Sequence, residues 1–489
     1  MALDRYLEII PDPTRFRAAL ERPEPTTLRV RTGRVATSEL IERLEEQGYG
    51  LEPVPGLPDV FHVRVEPRPI SKTLEHWMGH FYIQQASTAV AAPALGVRPG
   101  ERALDLCAAP GGKTTHLADL MEERGCLVAS DRDEKRIRAL LGNVYRLGHS
   151  GVLCMAADGR AFPGGARFDR VLVDAPCSAE GNVRRQGGDV DAPSESFHEY
   201  ATALQESLLR RAIGLTRPGG RILYSTCTFA PEENEAVIDA VLGDLPVELE
   251  PIGLDVPHAP GLTAFDGRRF HPELELAWRL YPHHLDSGGL FMARLRKSGP
   301  GERASDDHAP GWTPVPAGFP GEEPAPAEAA RRVEDGKARL ATSFGVAAER
   351  LEATGWMVRG NSLWGHTVDA WPLEAWEASP DWRFVSLGVR VMRTDRRYGF
   401  RPTNDGLRWL GPDVGRRVVR LGLEDGLRLL EGAPLPADVE GGAGNVAVAL
   451  DGEVVGRGVW RHGVVRPEIP AARARRLEEI LMATLGYSR

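Results

Sequence analysis

The chain has 489 residues, with 60 Lys+Arg against 69 Asp+Glu and a formal charge of −9. At ~100–200 residues per domain that length predicts three or four domains. A composition 42% apolar and 26% charged excludes a wholly disordered, collagen-like or coiled-coil chain. The acidic balance argues against indiscriminate nucleic-acid binding but leaves room for a local basic face.

No apolar run approaches the ~18 residues of a spanning helix. The first residues, MALDRYLEIIPDP, carry acids where a signal peptide has a basic start. A soluble, cytoplasmic protein is expected, without a membrane partner. The five cysteines (Cys107, Cys126, Cys154, Cys177, Cys227) show no CxxC or paired spacing. They therefore predict neither a disulfide framework nor structural zinc. Five of the basic residues are lysine, among them Lys113, and the other 55 are arginine.

In chain order, residues 1–70 read as a small α+β module. Leu28-Arg29-Val30-Arg31 alternates like a strand, and Thr37 or Ser38 would cap a helix carrying Leu40, Ile41 and Leu44, ended by Gly48. Val60–Val63 returns as a strand. Residues 71–297 alternate strands (Arg102–Leu106, Cys126–Ser130, Gly151–Met155, Arg170–Val173, Arg221–Tyr224, Leu290–Arg294) with helices (Lys113–Arg124, Glu134–Leu147, Glu199–Thr216). Buried apolar strands separated by helices predict a mostly parallel α/β sheet covered on both faces.

Residues 298–335 hold seven prolines and eight acids against three arginines, a composition expected for an extended linker. Its tail, from about Ala325, could already be helical and belong to the next domain. A helical and mixed connecting domain is expected over 336–395, then a strand-rich region over 396–489. Between Arg383 and Arg428 eleven arginines stand against five acids. A solvated face and a phosphate-contacting patch both fit that excess.

The chemistry-bearing motifs lie just after strands. LDLCAAPGGKTTHLA (Leu104–Ala118) runs from a strand through a small-residue turn into a helix, where a doubly wound sheet binds ligands. Asp131 ends the next strand, where an acid would bind a ribose diol. A Walker loop is excluded because Cys107 stands at its first glycine, and GxGxxG is absent. S-adenosylmethionine needs a tight turn and a ribose acid without a phosphate cradle, and fits best. Asp158 follows the third strand, where it could face an adenine or simply cap a helix.

VLVDAPCSAEG ends a strand at Asp174-Ala175-Pro176-Cys177, and ILYSTCTFAPEENE ends one at Cys227, before a helix. A thiol at such a position can have a lowered pKa. A thiolate adding to C6 of cytosine turns C5 into a nucleophile for a methyl group, which is covalent catalysis by one of two candidate cysteines. Cys126 and Cys154, in apolar strands, read as packing.

LDLCAAPGGKT, DRDEKR, AADG, DAPCSAEG and STCT, in that order, resemble the Nol/Nop/Sun RNA cytosine-C5 methyltransferases over roughly residues 27–297. The resemblance implies a Rossmann-like core in which S-adenosylmethionine is held by Cys107, Ala108, Ala109, Pro110, Gly111, Gly112, Lys113, Asp131, Arg136, Asp158 and Asp174. It also implies that Cys227 is the nucleophile, that Cys177 assists product release, that Asp174 holds the cytosine edge, and that Lys113 positions cofactor or base. DNA cytosine-C5 methyltransferases use the Pro-Cys cysteine, so Cys177 remains the alternative nucleophile. Length and tail resemble the bacterial 16S rRNA enzymes of F type, which carry a C-terminal PUA-like RNA-binding domain. The pattern around Gly444–Val448 and Asp451–Gly458 is similar to the end of such a domain. Arg31 stands where the family usually has Asn. The resulting expectation is methylation of 16S rRNA within the small subunit by a monomer without metal. The same chemistry on tRNA, or a non-catalytic assembly factor, are the alternatives.

Overall fold

A computed structural model describes residues 2–186, 193–299, 311–377, 382–395 and 399–487. Near the start of the chain, α1 (Pro13–Leu20) opens with Pro at its first position, and the Asp12 carboxylate caps it by accepting from Arg15 N at 2.9 Å. An antiparallel sheet comes next, formed by β1 (Thr27–Val30), β2 (Gly50–Val54), β3 (Leu57–Val65) and β4 (Phe81–Ile83) in the order β2-β3-β1-β4. Helix α2 (Thr37–Glu46) buries Leu40 and Leu44 against Leu28, Val30 and Phe61.

Two expectations change here. Ala36 is the cap residue of α2, and the Thr37 hydroxyl instead donates to Asp59 at 2.6 Å. The sheet also runs past residue 70, since the short helix α3 (Leu74–Met78) leads into its edge strand β4 at 81–83. Arg29, fully buried in β1, ties the module to the next domain by donating to Gln84 at 3.1 Å, Thr115 at 3.0 Å and Asp119.

The central sheet contains parallel β5 (Arg102–Asp105), β6 (Cys126–Asp131), β7 (Val152–Ala157), β8 (Phe168–Asp174) and β9 (Thr216–Thr226), in the order β9-β8-β5-β6-β7. Strand β10 (Leu290–Lys297) pairs antiparallel with β9. Alternate side chains enter two cores, as a period of two requires. Leu104, Val128, Val171 and Val173 pack with Leu208, Leu209 and Ala212 of helix α6 (Glu195–Leu215). Ala103, Leu127, Ala129 and Leu172 pack on the other face, against Leu117 of α4 (Gly112–Leu120) and Leu140 and Val144 of α5 (Glu134–Leu147). Burial on both faces is why these strands read as continuous apolar runs. Strand order reverses beside β5, so a crevice opens at the carboxyl ends of β5 and β8.

The other edge of the sheet is closed from far along the chain. Strand β11 (Trp382–Leu387) pairs antiparallel with β7, placing Trp382 opposite Ala157 and Leu387 opposite Leu153. These residues were expected in a separate connecting domain. A parallel sheet with a bare edge invites foreign pairing, and an added strand removes it. The linker expectation falls partly on residues 300–310, outside those described. From residue 311 onward the chain is packed rather than extended. Trp312 is buried edge-on against Phe168 and donates to the Arg167 carbonyl at 3.0 Å, and a helix runs over Pro326–Phe344. Beyond it lie a four-stranded sheet (residues 355–402) and a five-stranded sheet (418–467) backed by the helix Ala471–Thr484. Among the described residues no helix is long and apolar enough to cross a membrane.

Candidate active site

The turn after β5 enters α4 at Gly111, whose φ of +105° lies in the left-handed region. A Cβ there would sit 2.9 Å from Leu140 Cδ1, so glycine answers both the turn and the close approach of α5. The turn opens onto a cavity of about 450 Å3. From the expected cofactor residues, Cys107, Ala108, Ala109, Pro110, Gly112 and Lys113 line it, with Arg136 and Asp174. Both candidate thiols, Cys177 and Cys227, line it too. Gly111 shapes the turn from beneath.

Asp131 and Asp158 border a smaller adjoining space of about 40 Å3, with Cys107, Arg136, Pro176 and Leu208. Asp131 is held firmly, accepting from Ala109 N at 3.2 Å and Asp133 N at 2.9 Å, with Arg136 Nη1 at 3.5 Å. Arg136 also donates to the Ala109 carbonyl, so α5 clasps the turn. Asp158 does cap a helical turn, accepting from Arg160 N at 3.0 Å, and the Arg160 guanidinium pairs with it at 2.6 Å. That side-chain contact is the main reason its pKa lies below the ordinary carboxylate value.

At the ends of β8 and β9, Lys113 Nζ meets Asp174 Oδ2 at 2.7 Å, and the Ser225 hydroxyl donates to Asp174 Oδ1 at 2.9 Å. Burial opposes the Lys113 charge, but the Asp174 carboxylate outweighs it and the ammonium pKa is raised. Cys177 Sγ and Cys227 Sγ lie 3.4 Å apart, and Asn182 Nδ2 stands 3.5 Å from Cys227 Sγ. The Cys177 contact, aided by Lys113 and Asn182, holds the Cys227 thiol below its usual pKa. The same contact and burial push Cys177 well above its own. The pair is therefore polarised, with Cys227 the more acidic thiol and Cys177 the less acidic one.

Backbone contacts bring the two loops together. Gly181 N donates to the Cys227 carbonyl at 2.8 Å, and Gly289 N to the Gly181 carbonyl at 2.9 Å. A Cβ on Gly181 would stand 2.6 Å from the Gly289 oxygen. Behind Cys177, the buried Glu233 carboxylate accepts from Ser178 N at 3.0 Å and Gln205 Nε2 at 2.8 Å, with His198 Nδ1 at 3.0 Å.

Among the lining residues that escaped the sequence reading are Tyr82, Gln85, Asp105 and Asn182. Asp105, inside the quoted LDLCAAPGG motif, was the most accessible, since it ends β5. Its Oδ2 accepts from Thr114 Oγ1 at 2.7 Å while its Oδ1 is buried without a partner, and burial pushes its carboxyl up to about 7. Tyr82 and Gln85 reach the site only through packing of the N-terminal module.

A family profile described as 16S rRNA methyltransferase RsmB/F matches residues 92–296. The ribosomal RNA small subunit methyltransferase F of Vibrio atlanticus is 30% identical, over 94% of this chain and 93% of its own length. The 28S rRNA (cytosine-C(5))-methyltransferase of Mus musculus is 37% identical over 60% of this chain and 38% of its own. The chain thus spans under half the length of the eukaryotic relatives it matches. Among solved structures, a methyltransferase homolog from Pyrococcus horikoshii is 35% identical with a TM-score of 0.54, covering 60% of this chain and 93% of that one. Solved neighbours and family profile together describe a methyltransferase with a mixed α/β sheet. On relatives matched along nearly their whole length, the chain belongs to the RsmB/F family of 16S rRNA methyltransferases.

Proposed function

We propose that this chain transfers a methyl group from S-adenosylmethionine to C5 of cytosine in 16S rRNA of the small ribosomal subunit. The observation that carries the reading is the polarised thiol pair, 3.4 Å apart, on the wall of the same cavity as the Lys113–Asp174 ion pair.

The residues present fit the cofactor. A glycine-shaped turn, an acid fixed at the end of β6 and an unpartnered buried oxygen of Asp105 suit a nucleoside carrying an amino-acid ammonium. Residues 107–113 would hold its amino-acid end, Asp131 its ribose, and Asp158 with Leu208 the space beside its base. When bound, it supplies an electrophilic methyl on a sulfonium.

The chain's own groups supply the rest. A target cytosine leaves its stack to reach the cavity. Asp174, held by Lys113 and Ser225, accepts from its exocyclic amine, and the Lys113 ammonium beside it stabilises the negative charge that thiolate addition puts on the ring. The Cys227 thiolate adds to C6, which makes C5 nucleophilic. After methylation a base removes the C5 proton, the C6–S bond breaks, and Cys227 leaves as thiolate. Cys177, adjacent to the leaving sulfur, acts in this release.

The N-terminal module and the strand-rich region 396–489 bind RNA, the latter as a PUA-like domain. The enzyme acts in the cytoplasm as a monomer, needing no metal. The test is incubation of the full chain with labelled S-adenosylmethionine and undermethylated small subunits, followed by mapping of 5-methylcytosine. Label at defined cytosines of 16S rRNA is expected. Label confined to tRNA, or none on any RNA, would overturn the assignment.

A further inference from the structure

The N-terminal module, the central domain and the C-terminal region meet around a second cavity of about 230 Å3, which neither thiol lines. Five arginines line it. Arg31 and Arg34 lie just after β1, Arg146 lies at the end of α5, Arg350 sits on the helix Ala348–Glu352 and Arg408 on the helix Asn404–Trp409. Among the described lining residues Glu123 is the single acid.

Three of the arginines are paired with carboxylates: Arg31 with Asp119 (3.4 Å) and Glu123 (3.5 Å), Arg34 with Glu453 (3.2 Å) and Arg350 with Asp413 (3.1 Å). Arg146 and Arg408 meet no carboxylate among the described residues. Arg146 donates to the carbonyls of His76 (2.9 Å) and Phe81 (3.1 Å), and Arg408 to that of Trp77 (2.7 Å). Arg408 is 7% exposed, and its Nε is buried without a partner.

Glu123 cannot serve them. Its Oε2 already accepts from Ser150 N (2.7 Å), Ser150 Oγ (2.9 Å) and Gly151 N (2.9 Å), and its Oε1 faces His149 at 2.8 Å. Burial pushes both guanidinium pKa values down to about 10, and Arg408 adds to the effect on Arg146. Asp405 and Glu453 partly offset the Arg408 charge from beyond contact, but two buried cations with no carboxylate in contact beside one cavity still call for an anion. Guanidinium forks match phosphate oxygens in geometry as well as charge.

We propose that this junction is a phosphate-binding site, with Arg146 and Arg408 as its principal ligands and Arg34 and Arg350 beside them. The phosphate is either a phosphodiester of bound RNA or free inorganic phosphate. Arg146 also lies over the Tyr82 ring, 5.7 Å from its centroid, and Tyr82 lines the candidate active site. The anion site is thus one side chain removed from the cofactor turn. The RNA alternative rests on the proposed function, whereas phosphate binding as such does not.

The test titrates the full chain with inorganic phosphate at ionic strength held constant with chloride, followed by calorimetry and Tm. Saturable binding of one anion per chain, with a rise in Tm that chloride does not give, is expected. Arg146→Gln and Arg408→Gln each weaken it by at least about tenfold. If those variants fail to fold, Arg34→Gln and Arg350→Gln, at partly exposed positions, show a smaller loss in the same direction. Phosphate that competes with RNA in the wild type, but not in the variants, identifies the phosphodiester. Phosphate that binds without displacing RNA identifies the free anion. No saturable phosphate binding by the wild type, or binding unchanged in every variant, overturns the site. Loss of methyl transfer to every RNA with phosphate binding intact would strike the proposed function alone.

Discussion

Cys177 Sγ and Cys227 Sγ stand 3.4 Å apart although fifty residues separate them in the chain, and their pKa values move in opposite directions. One contact between the sulfurs favours ionisation of Cys227 and disfavours that of Cys177. Alkylation should reveal this order. Cys227 reacts with iodoacetamide at a lower pH than Cys177, with its midpoint below the ordinary thiol value of 9.0. Cys177→Ala removes the donor and moves that midpoint upward. Mass spectrometry of the alkylated peptides across pH checks it; Cys177 labelling first would refute the assignment.

The same polarity predicts different fates for the two alanine variants on RNA. Cys227→Ala neither methylates nor crosslinks, because no thiolate is left to add to C6. Cys177→Ala adds and methylates but releases slowly, so a protein–RNA adduct accumulates on a denaturing gel. Exchanged behaviour would make Cys177 the nucleophile.

Lys113 and Asp174, 2.7 Å apart, form an ion pair on the wall of the cavity that both thiols line. Asp174→Asn removes the anion that raises the Lys113 pKa and weakens the hold on the cytosine edge. Methyl transfer under single-turnover conditions falls by on the order of 10²–10³-fold, the usual consequence of losing one preorganised electrostatic group. Lys113→Met takes a cation from beside Cys227, and its alkylation midpoint rises. An unchanged midpoint would mean that Lys113 does not tune the thiol.

Asp105 titrates at about 7 in the fold against an ordinary 3.8, chiefly because it is buried. The folded state therefore binds more protons than the unfolded chain between those values, and stability falls as pH rises through that window. Asp105→Asn keeps an acceptor for Thr114 and removes the titration. Its stability relative to wild type should grow from near zero around pH 4 to roughly 4 kcal/mol above pH 7. Urea unfolding at several pH values measures this, and a pH-independent difference would refute it.

Among the described residues, strand β11 alone covers the β7 edge of the central sheet. A chain truncated after Lys297 loses it, along with the Trp312 contact on Phe168, and exposes the apolar strand Val152–Ala157. Light scattering should show self-association of that fragment at concentrations where the full chain stays dispersed. A well-behaved, monomeric fragment would show that the edge is protected in another way.

The central strands and helices were legible because their signals are local. Runs such as Val171–Asp174 carry the apolar pattern of a strand buried on both faces, and the small residues of the LDLCAAPGG turn announce a close backbone approach. The sequence by itself also placed Cys107, Asp131, Asp174, Cys177 and Cys227 at strand ends and Lys113 at the start of the following helix, because both are read from the same periodicity. It could not rank the two thiols, since their pKa values depend on contacts between residues 45 or more apart. Nor could it show that Trp382–Leu387 closes the sheet against β7, that β4 completes the N-terminal module beyond residue 70, or that Arg146 and Arg408 share a cavity. Each of these is a non-local pairing, set by which edges and charges remain unsatisfied once the local elements have formed, and only the tertiary structure decides it.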